Sequence, residues 1–311
     1  MATDVGGGGR PGLPRSKRRP GTCSHPLDSA SIDRLVWMYW ENKPGAKRSP
    51  YLDLCFDTVR RNAGRTTIHL LDERTVFDWL PLDPDVWIRL GTPEKRSDYA
   101  RTRLVHRYGG LWLDFDVIAM APLEELFEPL REYELAGWGR ELGGRFYSNL
   151  FAARAGASML AEWIDEQDEV LNRSDDWSTL SWGALVQEII RPIARRSSYY
   201  VYPINRIAPV PWYQWRRLLS RWQSPNDIMK HAPLTVMLWN KPMGPHLKNV
   251  PATAIREGRS LLSRLLRIAG GESTVERETD IFTSLHAISD LRFTRVGRSI
   301  EIRMRRLSGR A

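Results

Sequence analysis

A parallel-sheet α/β fold is what this sequence predicts, and three stretches carry the expectation. Arg34–Trp40 (RLVWMYW) is a short apolar and aromatic run, the composition of a buried strand. Pro50–Arg61 sets Leu52, Cys55, Phe56 and Val59 at helical spacing, which predicts an amphipathic helix. Thr66–Leu71 (TTIHLL) is β-branched and apolar and predicts a second strand. Strand, helix and strand within about forty residues make the start of an α/β unit, because parallel strands need a crossover connection.

The remaining elements follow in chain order. Asn62-Ala63-Gly64 ends the first helix. Asp83-Pro84-Asp85 reads as a proline turn. Thr92-Pro93-Glu94 supplies a hydroxyl cap, a proline at the first helical position and an acid, so a helix is expected from there to about Tyr108. Gly109-Gly110 stops it, and Leu111–Ile118 (LWLDFDVI) reads as one strand. A short helix is expected over Pro122–Arg131 and strands over Leu135–Gly139 and Phe146–Ala153. Helices are expected over Ser158–Leu171 and Thr179–Arg195, and a last strand over Thr235–Trp239. Residues 1–30, rich in Gly, Pro, Arg and Lys, read as a disordered basic tail. Residues 31–250 read as the folded domain and 251–311 as a basic C-terminal extension.

Charge and cysteine usage narrow the function classes. No apolar run approaches the ~18 to 20 residues of a membrane-spanning helix, and none follows the basic N-terminal stretch, which argues against a secretory signal. Cys23 and Cys55 make neither a disulfide framework nor a zinc site, and free thiols fit a reducing, cytoplasmic setting. The net charge is +9, but residues 21–250 carry 29 basic and 29 acidic side chains, so the excess sits at the two ends. By net charge the central region is no nucleic-acid groove, and no specific nucleic-acid partner is expected. The ends suit either an anionic membrane surface or a solvated role. Within them, Leu261, Leu262, Leu265, Leu266 and Ala269 fall on one helical face, with Ser260, Ser263, Arg264 and Arg267 on the other. That amphipathic segment, 260–269, fits a basic helix lying at the inner face of a membrane or a helix packed on the protein's own core. Trp212–Trp222 (WYQWRRLLSRW) mixes aromatics, leucines and arginines in a similar way.

The chemistry concentrates between Ser97 and Val117. On a strand, positions i and i+2 share a face, so Asp114 and Asp116 are expected to project together with Phe115 turned away. Two adjacent carboxylates repel, and a divalent cation relieves the conflict; hard oxygen donors suit Mg²⁺ or Mn²⁺, held by one or two carboxylates plus substrate phosphates. Asp-x-Asp alone is a weak signal, since Asp83-Pro84-Asp85 repeats it. Asp98 and Arg101, three apart on the preceding helix, strengthen it, because a carboxylate suits sugar hydroxyls and a guanidinium suits phosphate. The plainer reading of that pair is a surface ion pair of about 0.3–0.5 kcal/mol.

Ser97-Asp98-Tyr99-Ala100-Arg101 followed by Tyr108-Gly109-Gly110-Leu111-Trp112-Leu113-Asp114-Phe115-Asp116 resembles the signature of DXD-containing glycosyltransferases, and the capsular polysaccharide synthesis proteins in particular. Outer-chain mannosyltransferases and glucosylating toxins are related to that group. Val36-Trp37-Met38-Tyr39-Trp40-Glu41-Asn42 and Tyr147-Ser148-Asn149-Leu150-Phe151 are similar to its flanking strands. The resemblance implies a GT-A-like, Rossmann-related mixed sheet flanked by helices, a UDP- or GDP-linked nucleotide-sugar donor, and Mn²⁺ or Mg²⁺. It implies that Trp37 stacks on the base, with Tyr39 beside it among the donor-binding residues. Asp98 accepts from sugar hydroxyls and Arg101 meets the sugar and diphosphate. Asp116 binds the metal directly, and Asp114 binds it through water or holds the ribose. Asn149 lines the sugar pocket, and Asn240 or His246 adds a late metal ligand. Ser181-Trp182-Gly183 departs from the mannosyltransferase pattern, which leaves donor and acceptor geometry open. The expected function is retaining transfer of a sugar to a glycan, polysaccharide or lipid-linked acceptor. A non-catalytic membrane- or polysaccharide-binding module on the same fold is the rival, and a phosphohydrolase lacks ligands.

Overall fold

The computed structural model describes residues 34–43, 45–178, 180 and 182–272, with the side chains of 182–184 excepted. The tail expected at 1–30, residues 273–311 of the extension and most of the Ser181-Trp182-Gly183 departure lie outside the described residues. In chain order the elements are β1 (Leu35–Tyr39), α1 (Pro50–Arg61), β2 (Thr67–Leu71), α2 (Pro84–Leu90), α3 (Pro93–Tyr108), β3 (Gly110–Leu113), β4 (Val117–Ala119), β5 (Leu135–Trp138) and β6 (Leu150–Ala153). There follow α4 (Ser158–Arg173), α5 (Trp182–Arg196), β7 (Tyr200–Tyr202), α6 (Ile204–Ile207), α7 (Arg216–Leu219), α8 (Asn226–Met229), β8 (Thr235–Met237), α9 (Asn240–Leu247), α10 (Ala252–Glu257) and α11 (Leu261–Ala269). The fold is the mixed α/β class expected. The chain divides into two compact units, one taking residues up to Ala46, Arg65–Asp114 and Glu124–Pro203, the other Lys47–Gly64, Phe115–Leu123 and the residues from Ile204 on.

The first unit holds a six-stranded sheet in the order β2-β1-β3-β6-β5-β7. β1 runs parallel to β2 and β3, β5 runs parallel to β7, and β6 alone is antiparallel to both its neighbours. Five strands therefore share one carboxyl edge, where sheets of this class place their ligands. Asp114 follows β3 at that edge, and the connection from β5 to β6 crosses it. Helices α2 to α5 and the sheet bury one core around Trp37, Trp112, Phe146, Phe151 and Trp163.

Helix α3 starts and stops as its sequence dictates. The Thr92 Oγ1 cap accepts from the Lys95 N–H at 3.4 Å, Pro93 opens the helix, and Gly109 closes it at φ +70°. Gly110 follows at φ +106°, and a Cβ there would lie 2.5 Å from the Leu35 carbonyl oxygen. Only glycine lets β3 swing in beside β1 after so short a turn. Asp83-Pro84-Asp85 is a helix start, a correction to the expected turn: the Asp83 side chain caps α2 by accepting from the Asp85 N–H at 2.9 Å. The helix expected over Pro122–Arg131 is two short 3₁₀ segments, Leu123–Leu126 and Glu128–Arg131.

The single strand expected over Leu111–Ile118 is two strands in two sheets, and this is the main correction. β3 pairs with β6 as far as Leu113 and Leu150, and the Asp114 N–H adds a bond to the Asn149 carbonyl at 2.9 Å. β4 pairs with β8 in the second unit, and the Leu238 N–H donates to the Asp116 carbonyl at 2.9 Å. Phe115 is buried in the second unit, stacked on Phe56 at 5.4 Å with the Arg48 guanidinium 4.8 Å above it. Asp114 and Asp116 thus flank a change of sheet, and the alternation rule of a continuous strand does not apply to them.

The second unit packs α1, β4, α10 and α11 together, with β8 beside β4 and α7 against α11. Residues 251–272 join this unit. In α11 Leu261, Leu262, Leu265 and Leu266 are all buried, and even Arg264 is turned inward, donating to the carbonyls of Gln223 and Arg221. Of the two readings of 260–269, packing on the protein's own core is the one this structure supports: its apolar face covers α1 and β4. Each such leucine contributes about 1.5–3 kcal/mol of burial. Among the described residues no helix is long and apolar enough to cross a membrane. Leu265, fully buried, gives the check. Leu265→Ala is expected to lower the unfolding free energy by about 2–5 kcal/mol in urea denaturation; an unchanged midpoint would mean that the helix is not packed as described.

Candidate active site

In the first unit the site is organised by one guanidinium. Arg101 is 5% exposed. Its Nη2 lies 2.8 Å from Asp98 Oδ1 and 3.4 Å from Asp114 Oδ1. Its Nη1 donates to the Ser148 carbonyl at 2.8 Å and to Ser148 Oγ at 2.9 Å, and Nη2 donates to Ser97 Oγ at 3.2 Å. The plane sits 5.1 Å from the centre of the Trp112 ring. Helix α3 supplies Asp98 and Arg101 one turn apart, the end of β3 supplies Asp114, and the approach to β6 supplies Ser148 and Asn149. The pair expected to meet does meet. It is no exposed surface pair: removing one partner of a buried pair costs about 3–5 kcal/mol. With its fork engaged on both sides, Arg101 orients Asp98 and Asp114.

Electrostatics follow from that burial. Burial pushes the Asp98 carboxyl from its ordinary 3.8 up to about 6; Arg101 pulls it down, while Asp114 and Glu94 push it up. Burial also raises Asp114, against Arg101 and the Trp112 indole N–H, which donates to its Oδ1 at 2.8 Å. Asn149 Oδ1 accepts from the Trp138 indole at 3.2 Å, and Trp138 stacks on Tyr147 at 4.3 Å.

Two residues of β1 lie deeper than the resemblance implied. Trp37 is 0% exposed, stacked on His69 at 4.7 Å, and its indole donates to the Gly109 carbonyl at 2.8 Å. It presents no face to a nucleotide base, so base stacking at Trp37 is corrected to a core role that secures the Gly109-Gly110 turn. Tyr39 is buried too, and its hydroxyl donates to Glu41 Oε2 at 2.6 Å; Glu41 is in turn paired with Arg96 at 2.5 Å.

In the second unit Asp116 meets the start of α9. Its Oδ2 accepts from the Asn240 N–H at 2.6 Å. Asn240 Oδ1 accepts from the Tyr51 hydroxyl, whose pKa is raised by burial first and by Asp116 second. Trp239, immediately before, holds a left-handed backbone at φ +61° and donates from its indole to the Val210 carbonyl at 2.8 Å. A carboxylate at a helix N-terminus satisfies an orphan N–H and the dipole together. Exposed His246 lies further along α9, its ring 5.1 Å from that of Trp215. Among the described residues no three His, Cys, Asp or Glu side chains gather into a metal-binding group. The oxygen donors that Asp116 and Asn240 offer fit a hard cation of the kind that takes the rest of its shell from water and substrate phosphate.

One group was missed from sequence. The β5–β6 connection carries Arg140 and Arg145, and α5 adds Arg191 and Arg195, which both donate to the Gly143 carbonyl, at 2.6 and 3.4 Å. Gly143 and Gly144 are both left-handed, and a Cβ on Gly144 would lie 2.8 Å from Arg195 Nε. The only signal was the paired glycines, because the two arginine pairs are some fifty residues apart.

Residues 21–132 match the model of a family described as capsular polysaccharide synthesis protein. Over 155 residues the chain is 28% identical to glycosyltransferase afumC of Aspergillus fumigatus, covering 43% of this chain and 39% of that one. The chain thus spans about two-fifths of the length of that curated relative. Among solved structures, the galactosyltransferase LgtC in complex with donor and acceptor sugar analogues matches at 16% identity and TM-score 0.38, over 78% of this chain and 98% of that. The PaToxG glycosyltransferase matches at 11% and 0.39, over 77% and 86%. The glycosyltransferase GlyE of Streptococcus pneumoniae matches at 17% and 0.40, over 66% and 55%.

The raised carboxyl of Asp98 gives a pH test. Its folded pKa exceeds its unfolded one, so its contribution to stability is full below 3.8 and is lost as pH rises through about 6. Asp98→Asn, which cannot ionise, is expected to flatten the fall in unfolding free energy across that window, leaving the part due to Asp114. Denaturation midpoints measured through the window check it; an unchanged slope would place Asp98 in a different environment.

Proposed function

We propose that this chain is a metal-dependent glycosyltransferase that moves a sugar from a UDP- or GDP-linked donor to a glycan, polysaccharide or lipid-linked acceptor. Capsule or cell-surface polysaccharide synthesis is its proposed setting. The observation that carries the reading is the buried Arg101 holding Asp98 and Asp114 at the carboxyl edge of the sheet. A stability device has little use for two half-buried carboxylates of raised pKa on one guanidinium, whereas a sugar with several hydroxyl donors does. The match of residues 21–132 to the capsular family and the afumC relative supports the same class.

Each residue then has a proposed task. Asp98, with Asn149, accepts from donor-sugar hydroxyls, and Arg101 is a positioning residue for Asp98 and Asp114. Asp116 is the direct ligand of Mn²⁺ or Mg²⁺, Asp114 acts through water or on the ribose, and Asn240 and His246 are late-ligand candidates. Arg140, Arg145, Arg191 and Arg195 suit the diphosphate, since planar forks pair with phosphate oxygens. A cation held by Asp116 would supply positive charge to offset that of the departing nucleotide. No side chain is assigned as a nucleophile, in keeping with retention by front-face attack on an oxocarbenium-like carbon. A cytoplasmic location, at the inner face of a membrane when the acceptor is lipid-linked, is part of the proposal. The rival non-catalytic module, motivated by the basic ends and by Trp212–Trp222, would bind Mn²⁺ and release no nucleotide.

A panel of nucleotide sugars, scored for Mn²⁺-dependent release of nucleotide, tests the proposal. Wild type is expected to turn over at least one donor, and Asp116→Ala to fall below detection. Loss of the Asn240 bond is expected to cost only about 0.5–2 kcal/mol, as for other helix caps. A folded Asp116→Ala chain with wild-type turnover, or a wild type that binds Mn²⁺ and releases nothing from any donor, would overturn it.

A further inference from the structure

The second unit carries an open cavity of about 610 Å³ where the last turns of α1, α10 and α11 meet. Arg60, Arg61, Arg256 and Arg267 line it, against the two acids Asp57 and Glu272. Its size is that of a small-ligand site. The charges are not evenly matched. Asp57 takes two guanidinium groups, Arg60 on Oδ1 at 2.9 Å and Arg256 near Oδ2 at 3.7 Å. Glu272 approaches Arg267 only to 3.9 Å. Among the described residues the Arg61 side chain has no hydrogen-bond or ion-pair partner.

Helix C-termini attract arginines for their own sake, because the last carbonyls carry partial negative charge. Arg267 plays that part: its Nη1 donates to the carbonyls of Arg256 at 2.7 Å and Gly258 at 2.9 Å. Capping therefore accounts for Arg267, and it leaves Arg60 and Arg256 sharing one carboxylate, with Arg61 beside them on the cavity wall. Three like charges so placed repel, and each retains fork donors directed at solvent. An anion with several oxygens relieves the repulsion and fills the donors.

We propose that this cavity is a binding site for a phosphate-bearing ligand, separate from the sugar-transfer residues and independent of the function proposed above. The phosphate is carried either by a soluble diphosphate or by a lipid headgroup, and arginine forks recognise both alike.

Calorimetric titration of the full metal-free chain with inorganic pyrophosphate tests the first source. Sedimentation with phosphatidylcholine vesicles, with and without phosphatidylglycerol, tests the second. Wild type is expected to bind at least one of the two probes, more weakly as salt is raised. Arg61→Ala, which removes a side chain with no partner to lose, is expected to weaken that binding about tenfold at an unchanged melting temperature, a difference of about 1.4 kcal/mol. Asp57→Asn, which removes the competing carboxylate, is expected to shift it the other way and tighten binding. Opposite signs from adjacent substitutions are not what loss of structure produces. Binding of neither probe at low salt, or affinities unmoved by both substitutions in folded protein, would overturn the proposal.

Discussion

The ion cluster at Arg101 is the constraint from which the first unit can be understood. A guanidinium 5% exposed must find donors' partners on every side, and it finds them in Asp98, Asp114, Ser97 and Ser148. Those partners come from a helix, a strand end and a loop, so the cluster fixes the relation of α3 to the carboxyl edge of the sheet. The rest of the local sequence serves that placement. Thr92 caps one end of α3, Gly109 and Gly110 turn the other, and the Trp37 indole holds the turn by donating to the Gly109 carbonyl. The same burial that makes the cluster rigid raises the carboxyl pKa values, which is the usual cost and use of a polar group held under cover.

Asp116 is fixed by a different device. Its backbone begins the β4–β8 ladder, and its side chain takes the first N–H of α9. The left-handed Trp239 ahead of α9 costs on the order of 1–3 kcal/mol and persists because its indole is bonded to Val210 and the helix start is capped. Two aspartates two residues apart in sequence are thus oriented by two separate sets of interactions. Neither can be moved without disturbing a ladder or a cap, and a carboxylate held that way presents its oxygens without further ordering.

Much of this was legible along the chain, and what was not has physical reasons. α1 matched its expected span because its opening proline, its apolar stripe and the Asn62-Ala63-Gly64 stop are all local in sequence. The Gly109-Gly110 turn was legible for the same local reason. The break inside Leu111–Ile118 was not, since LWLDFDVI is uniformly strand-like and only the partners, Leu150 for one half and Met237 for the other, divide it. Trp37 was assigned to a base because an aromatic on a first strand satisfies either role; burial alone decides, and burial depends on His69, Trp79 and Tyr108. The stripe of α11 likewise predicts an apolar contact without naming its partner, which is α1 and β4 rather than lipid. The arginines around Gly143 were invisible because α5 and the β5–β6 connection meet only in space.

The central claim is that Asp116 holds a divalent cation in company with a nucleoside diphosphate. Electron paramagnetic resonance of Mn²⁺ titrated into the full chain, with and without a nucleoside diphosphate, measures this without requiring the right sugar. The diphosphate is expected to strengthen Mn²⁺ uptake by wild type, and Asp116→Asn, which keeps an acceptor for the Asn240 N–H but loses the charge, to weaken it about tenfold or more. Equal uptake by wild type and a folded Asp116→Asn chain would contradict it, and would leave Asp116 as the cap of α9 and nothing more.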